Sequence, residues 1–215
     1  MSIIAKSSGE TLKKELIPAG SHIARCYQMI DLGTHEESFE GNAPKPKRKV
    51  SLTFEFPTEM RQFGEDNPMQ PMAKSKIYTL SMHPKSNMRT DLESWRGKGF
   101  SDEEAKAFDI TKLLGIPCMI SIVHAKGKDG NMYANIGSIS GVPKGMNIPK
   151  QINASFEFNF NDKFDIEWVE ECPGWLKEII KSSDEYKERT GQLMAKEEEK
   201  KQAPDYNEQN NDLPF

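Results

Sequence analysis

Apolar and polar residues alternate most cleanly in the stretch "VSLTFEF". Val50, Leu52, Phe54 and Phe56 share one side and Ser51, Thr53 and Glu55 the other, which is the period-two signature of a half-buried strand. Pro57 is expected to end it. Residues 20–32, "GSHIARCYQMIDL", read as an earlier strand: Ile23, Arg25, Tyr27 and Met29 share one face, and Ala24, Cys26 and Ile30 the other. Between these strands "GTHEESFEGNAPKPKRK" reads as a polar loop, and residues 57–73 as a second loop without a period. "SKIYTLSM" predicts a third strand with Tyr78, Leu80 and Met82 on one side.

The period then changes. "SNMRTDLESWRG" predicts a helix that starts at Ser86 or Asn87 and stops at Gly97. "FSDEEAKAFDITKLLG" carries Ser101 three residues before Glu104, a capping box, and predicts a second helix ending at Gly115. Two strands follow in "PCMISIVHAKGKDGNMYANIGSISGV", with a hairpin turn signalled by Asp129-Gly130. Beyond Pro143, Phe156, Phe158 and Phe160 alternate as an extra strand or extended arm. Trp175, Leu176, Ile179 and Ile180 form an apolar helical stripe after Pro173. From about Gly191 large apolar residues vanish until Leu213, the composition of a disordered segment.

Strand, strand, strand, helix, strand, strand is the order of an OB-fold, a five-stranded Greek-key barrel with a helix between its third and fourth strands. The expected fold class is therefore mainly β. The expected organisation is a barrel over residues 1–142, an extension packed on it over 143–190, and an acidic tail over 191–215.

With 215 residues the chain can bury a core, and no apolar run reaches the roughly 18–20 residues that a membrane span needs. The N-terminus lacks a signal-peptide pattern, and Cys26, Cys118 and Cys172 are widely spaced, so a reducing cytoplasm is expected. P-loop, H-E-x-x-H and G-x-S-x-G motifs are absent, and the four histidines have no ligand spacing. The sequence is read as a non-enzyme that needs no cofactor. Asp162, Asp165 and Glu167 could imitate a metal-dependent nuclease site; solvated acidic residues on an edge strand are the plainer account.

The net charge of −4 argues against nucleic acid until its placement is considered. Basic clusters lie in the first half: Lys45, Lys47, Arg48 and Lys49; Lys74 and Lys76; Arg96 and Lys98. Acidic residues dominate the end of the chain. Single strands are held by cations along the backbone and by aromatic rings under the bases, each stacked base contributing about 1–3 kcal/mol. Arg25 and Tyr27 face outward if Ala24, Cys26 and Ile30 face in. Tyr133 turns outward if Ala134 and Ile136 face in, with Lys126 and Lys128 in the adjoining loop. Each residue also has a plain structural account, as a solvated loop cation or a half-buried rim tyrosine. Their convergence on one expected face favours single-stranded DNA.

The stretch from Trp95 to Phe100, followed by Leu113 to Cys118, Val123-His124 and Tyr133 to Asn135, resembles phage-encoded single-stranded-DNA-binding proteins. The resemblance implies an OB-fold that coats single strands during phage replication, recombination or repair. The last four residues, Asp212, Leu213, Pro214 and Phe215, resemble the tip of bacterial single-stranded-DNA-binding proteins. That resemblance implies docking on host or phage replication and repair proteins, with Phe215 in an apolar pocket and its carboxylate and Asp212 against basic side chains. A single-strand annealing protein, a nuclease and a protein-only adaptor are the rival expectations.

Overall fold

The computed structural model describes residues 15–38, 41–64 and 66–192. It is mainly β: six antiparallel strands in one open sheet, with a few short helices. The strands are β1 (Gly20–Glu37), β2 (Lys45–Gln62), β3 (Met69–Thr79), β4 (Pro117–Lys126), β5 (Met132–Ser140) and β6 (Phe156–Phe158). Their order is β3-β2-β1-β4-β5, with β6 paired to β1 off this path. The helices are α1 (Asn87–Arg96), α2 (Asp102–Lys106), α3 (Ile166–Glu171) and α4 (Gly174–Ser182), and residues 184–192 are also helical. The described residues form two compact units, one within residues 15–30 and 51–157, the other within 31–50 and 158–192; β1 and β2 run through both. Among the described residues no helix is long and apolar enough to cross a membrane.

In the first unit the alternation of β2 is obeyed on its apolar side. Phe54 and Phe56 have no exposure, and each contributes about 2–3 kcal/mol by leaving water. Ala24 of β1 pairs with Cys118 of β4, Cys26 is buried just beyond that pairing, and Ile120 and Ile122 complete the layer. A bulge between Ser121 and Ile122 shifts the register of β4 on β5, so that Ile122 meets Ile136 and Val123 meets Asn135.

The α1 helix begins and ends where its sequence says. The Ser86 hydroxyl accepts from the Arg89 amide, and Gly97 closes the helix at φ +68°, a conformation that glycine adopts freely. It packs against both edge strands, β3 and β5. Asp91 accepts from the Tyr78 hydroxyl at 2.8 Å and from Lys76 Nζ at 2.6 Å on β3. The Gly141 amide, just past β5, donates to Ser94 O at 3.1 Å. Trp95 packs on Phe54 with ring centroids 5.6 Å apart and donates its indole N–H to Pro117 O.

Four differences from the sequence expectation have physical causes. Pro57 does not stop β2, which continues to Gln62; proline removes only one donor, so a strand can pass through it. The polar run before Val50 is the opening of β2, not a loop, because its cations pair with carboxylates of β1. β3 starts at Met69 and ends at Thr79, so Tyr78 is buried whereas Leu80 is exposed. The helix opened by the Ser101–Glu104 capping box lasts only to Lys106. Phe108 then turns in on Phe100 at 4.8 Å and Asp109 caps a separate 3-10 turn, Ile110–Leu113.

The polar side of β2 is also buried. Ser51, Thr53 and Glu55 are 1%, 6% and 0% exposed. Thr53 Oγ1 donates to Gln28 Oε1 at 3.1 Å and lies 2.9 Å from Ser75 Oγ, and a strap of irregular chain over residues 149–155 satisfies Glu55. Glu55 Oε1 accepts from the Ile152 amide at 2.7 Å, and Oε2 from the Asn153 amide at 2.8 Å and the Asn153 side-chain amide at 2.7 Å. Arg25, on β1, donates from Nε to Pro149 O at 2.8 Å and from Nη1 to Gly115 O at 2.6 Å.

The second unit is built on aromatic contacts. Phe158 packs on Trp168 at 4.8 Å and on Phe160 at 5.4 Å, and Phe164 on Tyr186 at 6.2 Å. Leu176 and Ile180 of the α4 stripe are buried, whereas Trp175 is 51% exposed. At Gly33, φ is +77° and a Cβ would fall 2.5 Å from Ser183 Cβ, so only glycine fits there.

Removing the strap anchor should cost stability. Glu55→Ala leaves two backbone donors and the Asn153 side chain without their acceptor and is expected to destabilise the protein by about 1–3 kcal/mol. Urea unfolding of the full chain measures this; a loss below about 0.5 kcal/mol would mean that the clasp contributes nothing.

Candidate nucleic-acid interface

The β4–β5 hairpin places Tyr133 opposite Ala125 and Met132 opposite Lys126. Ala134 is buried, so the neighbouring Tyr133 and Asn135 turn outward, and the Tyr133 ring is 43% exposed. The ring is held on two sides. Its hydroxyl donates to Asp129 Oδ2 at 2.5 Å in the turn. One of its edges lies so close to Gly127 that a Cβ there would fall 2.6 Å from the ring carbon. The turn itself is fixed by Gly130 at φ +83° and by the Asn131 amide and side chain donating to Asp129. The result is an exposed aromatic ring whose orientation is set before anything touches it.

The electrostatics of the hairpin follow from these bonds. The Tyr133 hydroxyl, then Asn131, hold the Asp129 carboxyl below the usual carboxylate range. The same bond holds the Tyr133 phenol above its usual range. The pin is therefore complete across neutral pH; it loosens as pH falls through the lowered Asp129 value, and again when the phenol ionises in strong alkali. Lys126 and Lys128 are exposed, and no carboxylate pairs with either among the described residues. From Ile110 to Phe156 the sequence has five lysines and a single acid, Asp129.

The other sequence-selected residues are placed differently. Arg25 and Tyr27 do lie on the side of β1 away from Ala24 and Cys26, but Arg25 there is bonded to the strap. Arg25 spends its donors on two carbonyls, and Tyr27 is half-buried, its phenol pushed up by burial and then by the Glu55 charge. Lys76 is paired with Asp91 and lies 5.3 Å from the Tyr78 ring; Lys74 is half-buried on the same strand. Arg96 stacks on Phe100 at 3.9 Å and bonds Glu104, which Lys98 also approaches at 3.6 Å.

The "KPKRK" cluster belongs to the second unit, where Lys45 is exposed and the other three cations are paired. Lys47 and Lys49 share Glu37, whose carboxyl the Lys49 bond holds low. Arg48 forms a two-pronged pair with Asp31 and approaches Glu185 at 3.9 Å. Burial pushes the Glu185 carboxyl up, but bonds from Thr34 and the Arg48 charge outweigh it and hold it low.

Of the acidic residues after Asn161, Asp165 caps α3 by accepting from the Trp168 amide at 3.0 Å. Among the described residues no group of three His, Cys, Asp or Glu side chains could hold a metal ion. Burial pushes the Cys26 thiol up to about 12 and the Cys118 thiol higher still, so neither is a thiolate at neutral pH. The tip, Asp212 to Phe215, lies outside the described residues. Sequence reasoning passed over Gly127 and Asp129 as parts of the ring's mounting. The signal available was a Tyr four residues after an Asp across a glycine turn.

Comparison with known proteins finds no match: no family model, no curated protein and no solved structure is similar to this chain.

An absorbance titration tests the mounting of the ring. The ionisation that Tyr133→Phe removes from the wild-type titration is expected to lie above the ordinary phenol range. Asp129→Asn and Gly127→Ala should each bring it back toward that range. A titration unchanged by both substitutions would show that the ring is not held as described.

Proposed function

We propose that this protein binds single-stranded DNA with little sequence preference and has no catalytic activity. The observation that carries the reading is the Tyr133 ring: exposed, pinned to Asp129, seated on Gly127 and flanked by the unpaired Lys126 and Lys128. A pre-oriented ring stacks under any base, and the lysines meet the phosphates on either side. Pre-orientation matters because ordering a free side chain on binding costs affinity.

The proposed architecture for this task is an OB-type barrel. In its support, the strand order β3-β2-β1-β4-β5 and the helix between the third and fourth strands follow the Greek-key pattern. The α1 helix contacts both edge strands. In OB-folds the loop between the fourth and fifth strands is a regular binding element, and here it is the loop that carries the lysines and Asp129. The setting proposed is phage DNA replication, recombination and repair in the cytoplasm of a bacterial host. In this reading the tip from Asp212 to Phe215 recruits replication proteins, and DNA and partners use different parts of the chain.

Titration of labelled oligo-dT and of duplex DNA at two salt concentrations tests the function. Single strands should bind more tightly than duplex, and affinity should fall as salt rises. Tyr133→Ala should weaken oligo-dT binding about 5- to 100-fold without lowering the melting temperature, as expected for one lost stack. Equal affinity for duplex, or indifference to salt, would overturn the reading. Magnesium-dependent loss of the oligonucleotide would point to a nuclease, and faster pairing of complementary strands to an annealing protein. Deleting Asp212 to Phe215 should leave DNA affinity intact or raised and abolish capture of replication proteins; reduced DNA affinity would contradict the role given to the tip.

A further inference from the structure

The chain from Pro143 to Ser155 forms neither helix nor strand, and it carries Lys144 and Lys150 but no carboxylate. Its inner side is polar: the Ile152 and Asn153 amides and the Asn153 side chain bond Glu55, and Pro149 O bonds Arg25. The Gln151 side chain is spent locally, on Asn153 O at 2.6 Å and Ser155 Oγ at 3.0 Å. Its larger apolar side chains are on the solvent side, Ile148 at 40% and Ile152 at 51% exposure. Arg25 holds Pro149 O and Gly115 O with one guanidinium, and Ile116, the neighbour of Gly115, is 44% exposed. No carboxylate pairs with Lys144 or Lys150 among the described residues.

Half-exposed aliphatic side chains beside unpaired cations are not what a segment clamped only for stability requires. Such a segment would turn its isoleucines inward and leave polar groups to the water. We propose that this strap is a second part of the single-strand path. The DNA backbone crosses the outside of residues 143–155, with Lys144 and Lys150 on phosphates and Ile116, Ile148 and Ile152 against base faces. The inference rests on the single-stranded-DNA reading and extends it from the β4–β5 hairpin to a segment that has no regular structure of its own.

Charge selects the outside over the sheet face beneath. If the strap lifted to admit DNA, the Glu55 carboxylate would lose its three donors and face the phosphates, which costs both desolvation and repulsion. The Arg25 guanidinium would also have to abandon two carbonyls. Binding over the closed strap needs neither step. Duplex DNA would gain little there, because its base faces are hidden in the stack.

Amide hydrogen exchange of the full-length protein, with and without an oligo-dT of about 16 nucleotides, distinguishes the cases. Amides of residues 143–155 should exchange more slowly when DNA is bound. The double variant Lys144→Ala, Lys150→Ala should bind oligo-dT about tenfold more weakly. Its plot of log affinity against log salt should be shallower by about 1.4, two phosphate contacts at roughly 0.7 each. Its melting temperature should match the wild type. Unchanged exchange in the strap, faster exchange (the sign of a lid that leaves), or an unchanged salt slope would each overturn the inference. If the wild type binds and Tyr133→Ala weakens it while the strap stays silent, only this inference falls. If the wild type does not bind oligo-dT, both fall together.

Discussion

A carboxylate with no exposure to water sits on one face of the β-sheet, and much of the first unit is arranged to satisfy it. Glu55 accepts three hydrogen bonds from a segment 97 and 98 residues away in sequence. A buried charge without such donors would cost several kcal/mol, so the strap is a requirement of placing Glu55 there. Once the strap is in place, the Glu55 carboxylate is committed to its three donors and the Arg25 guanidinium to its two carbonyls. In the proposed function, recognition falls to the hairpin after β4 and to the outer side of the strap.

The same logic separates the basic residues into two populations. Lys47, Arg48, Lys49 and Lys76 are matched with carboxylates at short range and contribute to holding strands and a helix together. Lys126, Lys128, Lys144 and Lys150 are exposed, have no carboxylate partner among the described residues, and lie in a stretch with one acid. A polyanion gains from the second population and would have to break ion pairs to use the first. Density of cations in the sequence is therefore a poor guide to a phosphate path; "KPKRK" is the densest run and is largely consumed internally.

The sequence is readable where the determinant is local. Ser86, Gly97, the Ser101–Glu104 box and the Asp129-Gly130 turn each specify their own few residues, and each is found in place. Phe54 and Phe56 are core because alternation over seven residues leaves no other choice. What could not be read depends on partners far along the chain. Glu55 looks like an outward polar position in "VSLTFEF", because its donors are almost a hundred residues away. The cations before Val50 look like a loop, because Asp31 and Glu37 reach them only once β1 and β2 are paired. The strap has no periodicity at all, since backbone amides hold it, and backbone amides leave no mark on composition. For Tyr133 the outward direction is legible from Ala134, whereas its mounting on Gly127 requires the folded turn.

The way the strap is held has a thermodynamic corollary. Its bonds to the sheet are polar, and its isoleucines are already about half exposed in the folded state, so its own side chains have less apolar surface to release than those of α1, where Met88, Leu92 and Trp95 are buried. The heat capacity of unfolding and its denaturant dependence both scale with newly exposed area, and polar area enters the heat capacity with the opposite sign. Loosening of this segment would therefore weigh less in the heat capacity than loosening of α1. It would be governed instead by whatever competes for its amides, which makes it an element that solvent chemistry can address while the apolar core stays intact.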